Sequence, residues 1–516
     1  MLLLVTLASG ASAQITNLTV IPGDRAVALL WDTVTRGEKE QFRVERGVNP
    51  AGPFTQLQAV NPRRNFTDFN LTNGQVACYR VVSLKPDGST LAMSEPVLAR
   101  PRAFANDAEF LETLQHTAFE YFWREANPEN GLVRDRSEPN SPSSIAAVGF
   151  GLTAIPIGVE HGWITRDQGC ERALRTARTF WETPQGANIA GNAGVKGWYY
   201  HFLNLDTADR AWQCELSSID TALLLAGVLS AREFFDGATP GEIELRRLAN
   251  QLVHRVDWRW MANGEDSLTM GWKPESGFHK MRWIGYNEAM ILYVLALGAG
   301  ENPLPPAAWG KWTSGYEWST HHGQSYIGFQ PLFGHQYSAC WIDFRNVADR
   351  YTREKGITYF ENSRRATLAQ IGYAIANPSK FTGYSSNVWG ITACDGPGIK
   401  GYHGYAGRGL ALFDDGTIAP TAAGGSMVFT PAESLGALRY FYDQFRLKLW
   451  CAYGPRDAFN LTADWWADDV LGIDQGPILL MAENYRTGAV WKRFMRCPEI
   501  QEGLKRAGFE PLAAAK

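Results

Sequence analysis

From residue 15 to about 101 the apolar positions alternate with polar ones in short runs. Ala26-Val27-Ala28-Leu29-Leu30-Trp31, Gln41-Phe42-Arg43-Val44-Glu45-Arg46 and Ala77-Cys78-Tyr79-Arg80-Val81-Val82-Ser83-Leu84 are rich in β-formers. Turn clusters separate them at Pro22-Gly23-Asp24, Pro50-Ala51-Gly52-Pro53 and Pro86-Asp87-Gly88. Short strands punctuated in this way predict a small all-β sandwich over 15–101. After Arg100-Pro101-Arg102, read as a linker, the apolar period changes from about 2 to about 3.6. Asp107 opens a helix that continues through Phe110, Leu111, Leu114, Phe119 and Phe122. Further helical periodicity is expected near 144–160, 166–182, 215–234, 240–260, 284–298, 336–355, 360–376, 431–448 and 476–488. Long loops rich in Gly, Pro and aromatic residues lie between them. Ten to twelve helices with their long loops on one side predict an α/α toroid of six hairpins over 105–512. The fold class is therefore mainly α, with a small β-sandwich in front.

Composition narrows the function. A net charge of −4 and no Lys/Arg block give no footprint for nucleic acid. No run of 18 apolar residues is long enough for a membrane-spanning helix. The 19 Trp, 19 Tyr and 26 Phe are a high aromatic count; a large core accounts for most of them, and flat rings also suit the apolar faces of sugars. Leu2-Leu3-Leu4-Val5-Thr6-Leu7 followed by Ala11-Ser12-Ala13 reads as the end of a secretory signal over residues 1–13, which predicts a periplasmic or secreted protein. The seven cysteines are widely spaced and lack a C-x-x-C, so neither a metal cluster nor a disulfide scaffold is expected. There is no phosphate-binding glycine loop, no H-E-x-x-H and no G-x-S-x-G nucleophile elbow. Nucleotide, metal and serine chemistry all recede; no cofactor and no metal are expected, and a monomer is.

Hydrolysis of a glycosidic bond needs a carboxylic acid to protonate the leaving oxygen and a second group to act across the sugar ring. Acids in unusual surroundings are thus the candidates. Asp135 and Glu138 sit in the loop Gly131-Leu132-Val133-Arg134-Asp135-Arg136-Ser137-Glu138, and two flanking arginines would hold Asp135 ionised. Glu215 and Asp220 flank the start of an apolar helix, with Asp220 beyond the usual cap position. Glu288 follows Trp283 and Tyr286 in the first turn of another. His335 and Gln336 lie at a loop–helix junction, Trp389, Asp395 and Tyr402 in a Gly-rich aromatic loop, and Glu433 and Asp474 at further helix starts. Capping explains each acid singly. Their recurrence beside rings is explained by alternate helix N-termini converging on one face of a toroid.

At Gly131–Ser137, Glu215–Leu224, Ile284–Glu288, Trp389–Asp395 and Asp474–Asn484, in that order, the chain resembles the bacterial glucoamylase-like family, which includes the endo-β-1,2-glucanases of glycoside hydrolase family 144. The N-terminal module resembles a fibronectin type III domain. The family resemblance implies an (α/α)6 toroid, β-1,2-glucan as substrate and no metal. It links acids within Asp135–Glu138 and Glu215–Asp220 with activity, and inversion is the usual outcome on this toroid. On this reading Glu215 is the general acid, its pKa raised by partial burial, and Asp135 or Asp220 orients or activates water. Glu138, Glu288, His335, Gln336, Trp389, Asp395, Tyr402 and Glu433 hold the sugar. Two other classes stay open on the residues alone. One is a polysaccharide lyase using His335, His403 or Tyr402 as base; the other is a non-catalytic glycan-binding protein.

Overall fold

The computed structural model describes residues 15–33, 41–58, 60–398 and 402–512. The signal-peptide expectation at 1–13 lies outside them. The chain divides into two compact units, Met1–Thr113 and Leu114–Lys516. The division falls within the helix Asp107–Arg124, beyond the expected linker.

The first unit holds two antiparallel sheets. Ala26–Thr33 pairs with Ile15–Gly23 on one side and with Asn65–Phe69 on the other. Ala77–Leu84 pairs with Gln41–Gly47, Thr90–Met93 and Val97–Ala99. Alternate residues of the strands face inward: Val27, Leu29, Trp31, Phe42, Val44, Tyr79 and Val81 form one core. Trp31 meets Phe42 edge-on with centroids 5.5 Å apart, and the buried Tyr79 hydroxyl donates to Asp68 at 2.8 Å.

The second unit is a helical toroid. Its inner ring has six helices: Ile145–Glu160, Ser218–Phe234, Met290–Gly298, Tyr337–Trp341, Pro420–Gly424 and Gly472–Arg486. They are apolar almost all round, as a helix packed on every side must be. The outer helices are amphipathic. In Arg166–Glu182 the buried side chains Cys170, Ala173, Leu174, Ala177 and Phe180 follow the helical period. Sixteen α-helices occur among the described residues, more than the ten to twelve expected. The surplus is short pieces, such as Ala307–Thr313 and Pro420–Gly424, that are too brief to show a period. The stretch read as one helix at 336–355 is two, Tyr337–Trp341 and Arg350–Lys355.

The ring closes by backbone contact and by buried polar links. Ile145–Glu160 and Ser218–Phe234 touch at Gly149 and Gly227: a Cβ on Gly149 would lie 2.2 Å from the Leu223 carbonyl oxygen, and one on Gly227 2.2 Å from that of Gly149. Ser338 Oγ accepts from the Ile291 N–H at 3.0 Å and donates to the Glu288 carbonyl at 2.8 Å, tying the third helix to the fourth. Gln336 Nε2 donates to the Ala422 carbonyl and to Ser426 Oγ, both at 2.8 Å, tying the fourth to the fifth. Thr421 Oγ1 donates to the Asp474 carbonyl at 3.1 Å, tying the fifth to the sixth. The sixth returns to the first at Gly476, where a Cβ would strike the Phe150 ring. Six of the seven cysteines are buried.

Gly227→Ala is expected to destabilise the protein by about 1–3 kcal/mol, since the added methyl must push two backbones apart. A thermal melt of the variant reads this as a fall of several degrees; an unchanged midpoint would show that the contact has slack.

Candidate active site

The N-terminal ends of five inner helices, with the loops before them, enclose a cavity of about 790 Å³. Asp135, Arg136 and Ser144 come from the first, Ile219 and Asp220 from the second, and Glu288 from the third. Phe333 and Tyr337 belong to the fourth, and Leu471 and Ile473 to the sixth. The convergence expected from the repeated acid-at-helix-start pattern is therefore present. Volume and lining suit a ligand of several rings: apolar walls with a few polar groups at one end.

His201, which the sequence reading passed over, organises the acids. Its Nδ1 donates to Glu215 Oε1 at 3.0 Å, and its Nε2 lies 3.5 Å from Asp220 Oδ2. Burial alone would lower its pKa, but Asp220, Glu215 and Asp135 together lift it to about 9, so the ring is an imidazolium at neutral pH. Asp220 is the third residue of its helix. Its N–H donates to Ser217 Oγ, and the Ser217 hydroxyl donates to Asp220 Oδ2. It thus stands within the capping turn, not beyond it.

Two expectations about protonation reverse. The hydrogen bond from His201 holds Glu215 down at about 2, so Glu215 is an ionised partner and not a carboxyl raised by burial. Nor does it line the cavity. Asp135 is pushed up, because burial outweighs Arg136, whose Nε is 3.8 Å from Asp135 Oδ2. Arg134, its other sequence neighbour, instead faces Glu125. Glu288 precedes its helix, which begins at Met290. It is half-buried, its Oε2 is enclosed without a partner, and burial lifts it to about 7.

Behind the cavity the Arg136 Nη1 donates to Asp395 Oδ2 at 2.9 Å. The Asp395 N–H donates to Asp457 Oδ2 at 2.8 Å, and Asp457 shares a hydrogen bond with Asp474. All three carboxyls are raised by burial, and Asp457 reaches about 7. Asp395 thus supports Arg136 from behind the cavity wall. Glu138 accepts from His403 Nε2 at 3.2 Å and is not a lining residue. With Asp469 these two bring ligand-type atoms within 4.8 Å of one another. Arg136 Nη1 lies 3.8 Å from Asp469 Oδ2, which disfavours a cation there.

Three of the expected sugar ligands belong to the framework, and a fourth faces solvent. His335 is buried, packs at a tilt against the Tyr286 ring with centroids 4.8 Å apart and donates from Nε2 to the Phe329 carbonyl; burial pulls it down to about 4, so it is neutral. Gln336 spends its amide on ring closure. Trp389 is wholly buried. Glu433 is solvent-exposed in the first turn of Pro431–Leu449, where it meets the helix dipole. Tyr402 has its backbone in a short 3₁₀ turn, and its side chain lies outside the described residues. Of the residues named from sequence, the cavity gathers Asp135, Asp220 and Glu288. It adds Arg136, His201, Phe202, Trp212, Tyr337 and Tyr405. His201 had one available signal, its place directly after Trp198-Tyr199-Tyr200 in a loop.

A family model described as putative glucoamylase matches residues 280–498. An exo-β-1,2-glucooligosaccharide sophorohydrolase (non-reducing end) of Parabacteroides distasonis is 30% identical over 518 residues, spanning 94% of this chain and 69% of the relative. The crystal structure of a β-1,2-glucanase from Parabacteroides distasonis matches with a TM-score of 0.85 at 26% identity, covering 96% of this chain and 73% of that one. An endo-β-1,2-glucanase from Chitinophaga pinensis, solved with sophorotriose and glucose, matches with a TM-score of 0.71 at 29% identity, covering 79% and 99%. The chain belongs to the glucoamylase-like family of glycoside hydrolases, of the family 144 type.

Proposed function

We propose that this protein hydrolyses the β-1,2-glycosidic bonds of a glucan or of its oligosaccharides inside the cavity. The observation that carries the reading is one ring-sized cavity lined by the carboxyls Asp135, Asp220 and Glu288 and by the rings Phe202, Trp212, Phe333, Tyr337 and Tyr405, with burial raising Glu288 to about 7. Its relatives' activity on such glucans supports the substrate class. Export follows from the Leu2–Ala13 run and is part of the proposal. Of the bases named for a lyase, His335 is a framework residue, His403 pairs with Glu138 outside the lining, and the Tyr402 side chain lies outside the described residues.

In this mechanism Glu288 enters protonated, because burial outweighs the one backbone hydrogen bond that favours its ionised form. It passes that proton to the glycosidic oxygen as the bond from the anomeric carbon breaks. Water attacks that carbon and gives its proton to Asp220, which faces the His201 imidazolium.

Incubation with linear β-1,2-glucan is expected to release sophoro-oligosaccharides, with the α-anomer first in the NMR spectrum if the reaction inverts. No product from β-1,2-glucan would remove the substrate assignment.

Glu288→Gln should lower kcat by about 10²–10⁴-fold with the fold intact, and Glu215→Gln by roughly tenfold. The reverse ranking would make Glu215 the acid.

Wild-type activity should fall as pH rises through about 7, where Glu288 ionises. Folding stability should also fall between about 4.5 and 7. A carboxyl raised on folding binds its proton more tightly in the native state, so its contribution is complete at low pH and is lost through the folded pKa. Glu288→Gln should therefore be the more stable protein at pH 8, by on the order of 1 kcal/mol. A variant no more stable than wild type there would place the proton elsewhere.

A further inference from the structure

The segment before Glu215 carries a feature that catalysis by the carboxyls does not use. The Cys214 N–H donates to the Ala211 carbonyl at 3.1 Å, closing a four-residue turn. Its two central residues, Trp212 (φ 54°) and Gln213 (φ 52°), are both left-handed. That is a type I′ arrangement, whose natural occupants are Asn and Gly, because a side chain in this region crowds its own backbone. A tryptophan and a glutamine there are strained.

The surroundings force the strain. Arg210 donates from Nε to the Cys214 carbonyl at 2.7 Å and from Nη2 to the Gln213 carbonyl at 2.9 Å. Glu275 holds the same guanidinium through two contacts of 2.6 and 3.1 Å, and the Tyr200 ring lies 4.6 Å beneath it. On the other side the Ala211 N–H donates to the Phe202 carbonyl at 3.0 Å.

What this clamp delivers is an indole that lines the cavity yet stays 60% exposed. Trp212 packs against Phe202 at 5.2 Å with a tilt of 53°, and Phe202 stacks on His201 at 4.0 Å and 14°. A row of rings therefore leads from the imidazolium among the carboxylates out to solvent. Burial gives this tryptophan little in return for its strain, and strain held in place by its neighbours marks a functional position.

We propose that Trp212 is a sugar-stacking subsite at the open end of the cavity, taking the apolar face of a pyranose ring one or more units from the bond that is cut. It gives the enzyme its preference for longer chains over the shortest substrate. This rests on the glucan-hydrolase reading above. Indoles suit the role because their flat faces bury sugar C–H groups without displacing the hydroxyls from water.

The test compares kcat/KM for linear β-1,2-glucan and for sophorotriose, together with calorimetric titration of a β-1,2-linked glucotetraose. Trp212→Ala is expected to lower kcat/KM on the long chain by about three- to tenfold through KM, and to weaken tetraose binding alike. Its loss on sophorotriose should be clearly smaller than its loss on the long chain, and Trp212→Phe should restore most of the long-chain loss. Gln213→Gly should raise the melting temperature while retaining the long-chain preference, which separates the strain from the ring. Long-chain kinetics unchanged in Trp212→Ala, or equal losses on long and short substrates, would overturn the subsite. A wild-type protein that cleaves neither substrate but binds the tetraose through Trp212 would uphold the subsite and remove the hydrolase reading.

Discussion

The inner helices can form a ring only because some of them meet backbone to backbone. Gly149 and Gly227 remove the side chains that would hold the first two apart, and Gly476 does the same where the sixth helix returns to the first. Once the ring closes, helices that are apolar on every side leave no room for polar groups along their length. Polar residues are driven to the helix ends. Five N-terminal ends then meet at one face, and the cavity is the space they cannot fill.

That geometry creates an electrostatic problem, which the protein converts into reactivity. Asp135, Asp220, Glu215, Glu288, Asp395, Asp457 and Asp474 gather around two cationic groups, Arg136 and His201. Not all can ionise together. His201 takes its charge from the acids beside it and fixes Glu215 as a carboxylate. Arg136 answers Asp395, and the carboxyls farther from any cation keep their protons. Glu288, at the cavity wall with an enclosed oxygen, is the one proposed to protonate the leaving oxygen. Acid and base arise from one shortage of positive charge.

The periodic elements were legible in the sequence because period is a local property. Arg166–Glu182 has the bounds its pattern predicted, and the long apolar helix Ile145–Glu160 begins one residue after its predicted start. Pro420–Gly424 was not, since five residues cannot display a period. At the site, Asp220 and Glu288 could be found because acids beside apolar helix starts stand out in sequence, and Asp135 because it sits between two arginines in a loop. Their protonation could not be read. Arg134 and Arg136 look equivalent around Asp135, yet one of them faces Glu125. Glu215 is paired with a histidine that belongs to a different segment. His335, Gln336 and Trp389 show the converse: polar or aromatic residues at a helix junction serve the framework whenever ring closure claims their hydrogen bonds or their bulk.

The central claim is that the cavity at the helix N-termini is where a β-1,2-linked glucan chain is bound and cut. The most direct measurement is a crystal structure of the Glu288→Gln variant with a β-1,2-linked oligosaccharide. The account predicts a sugar chain in the cavity, with a glycosidic oxygen within hydrogen-bond reach of residue 288 and Asp220 on the opposite side of the same sugar ring. An oligosaccharide bound elsewhere on the toroid, or in the cavity with its linkages remote from both residues, would contradict it.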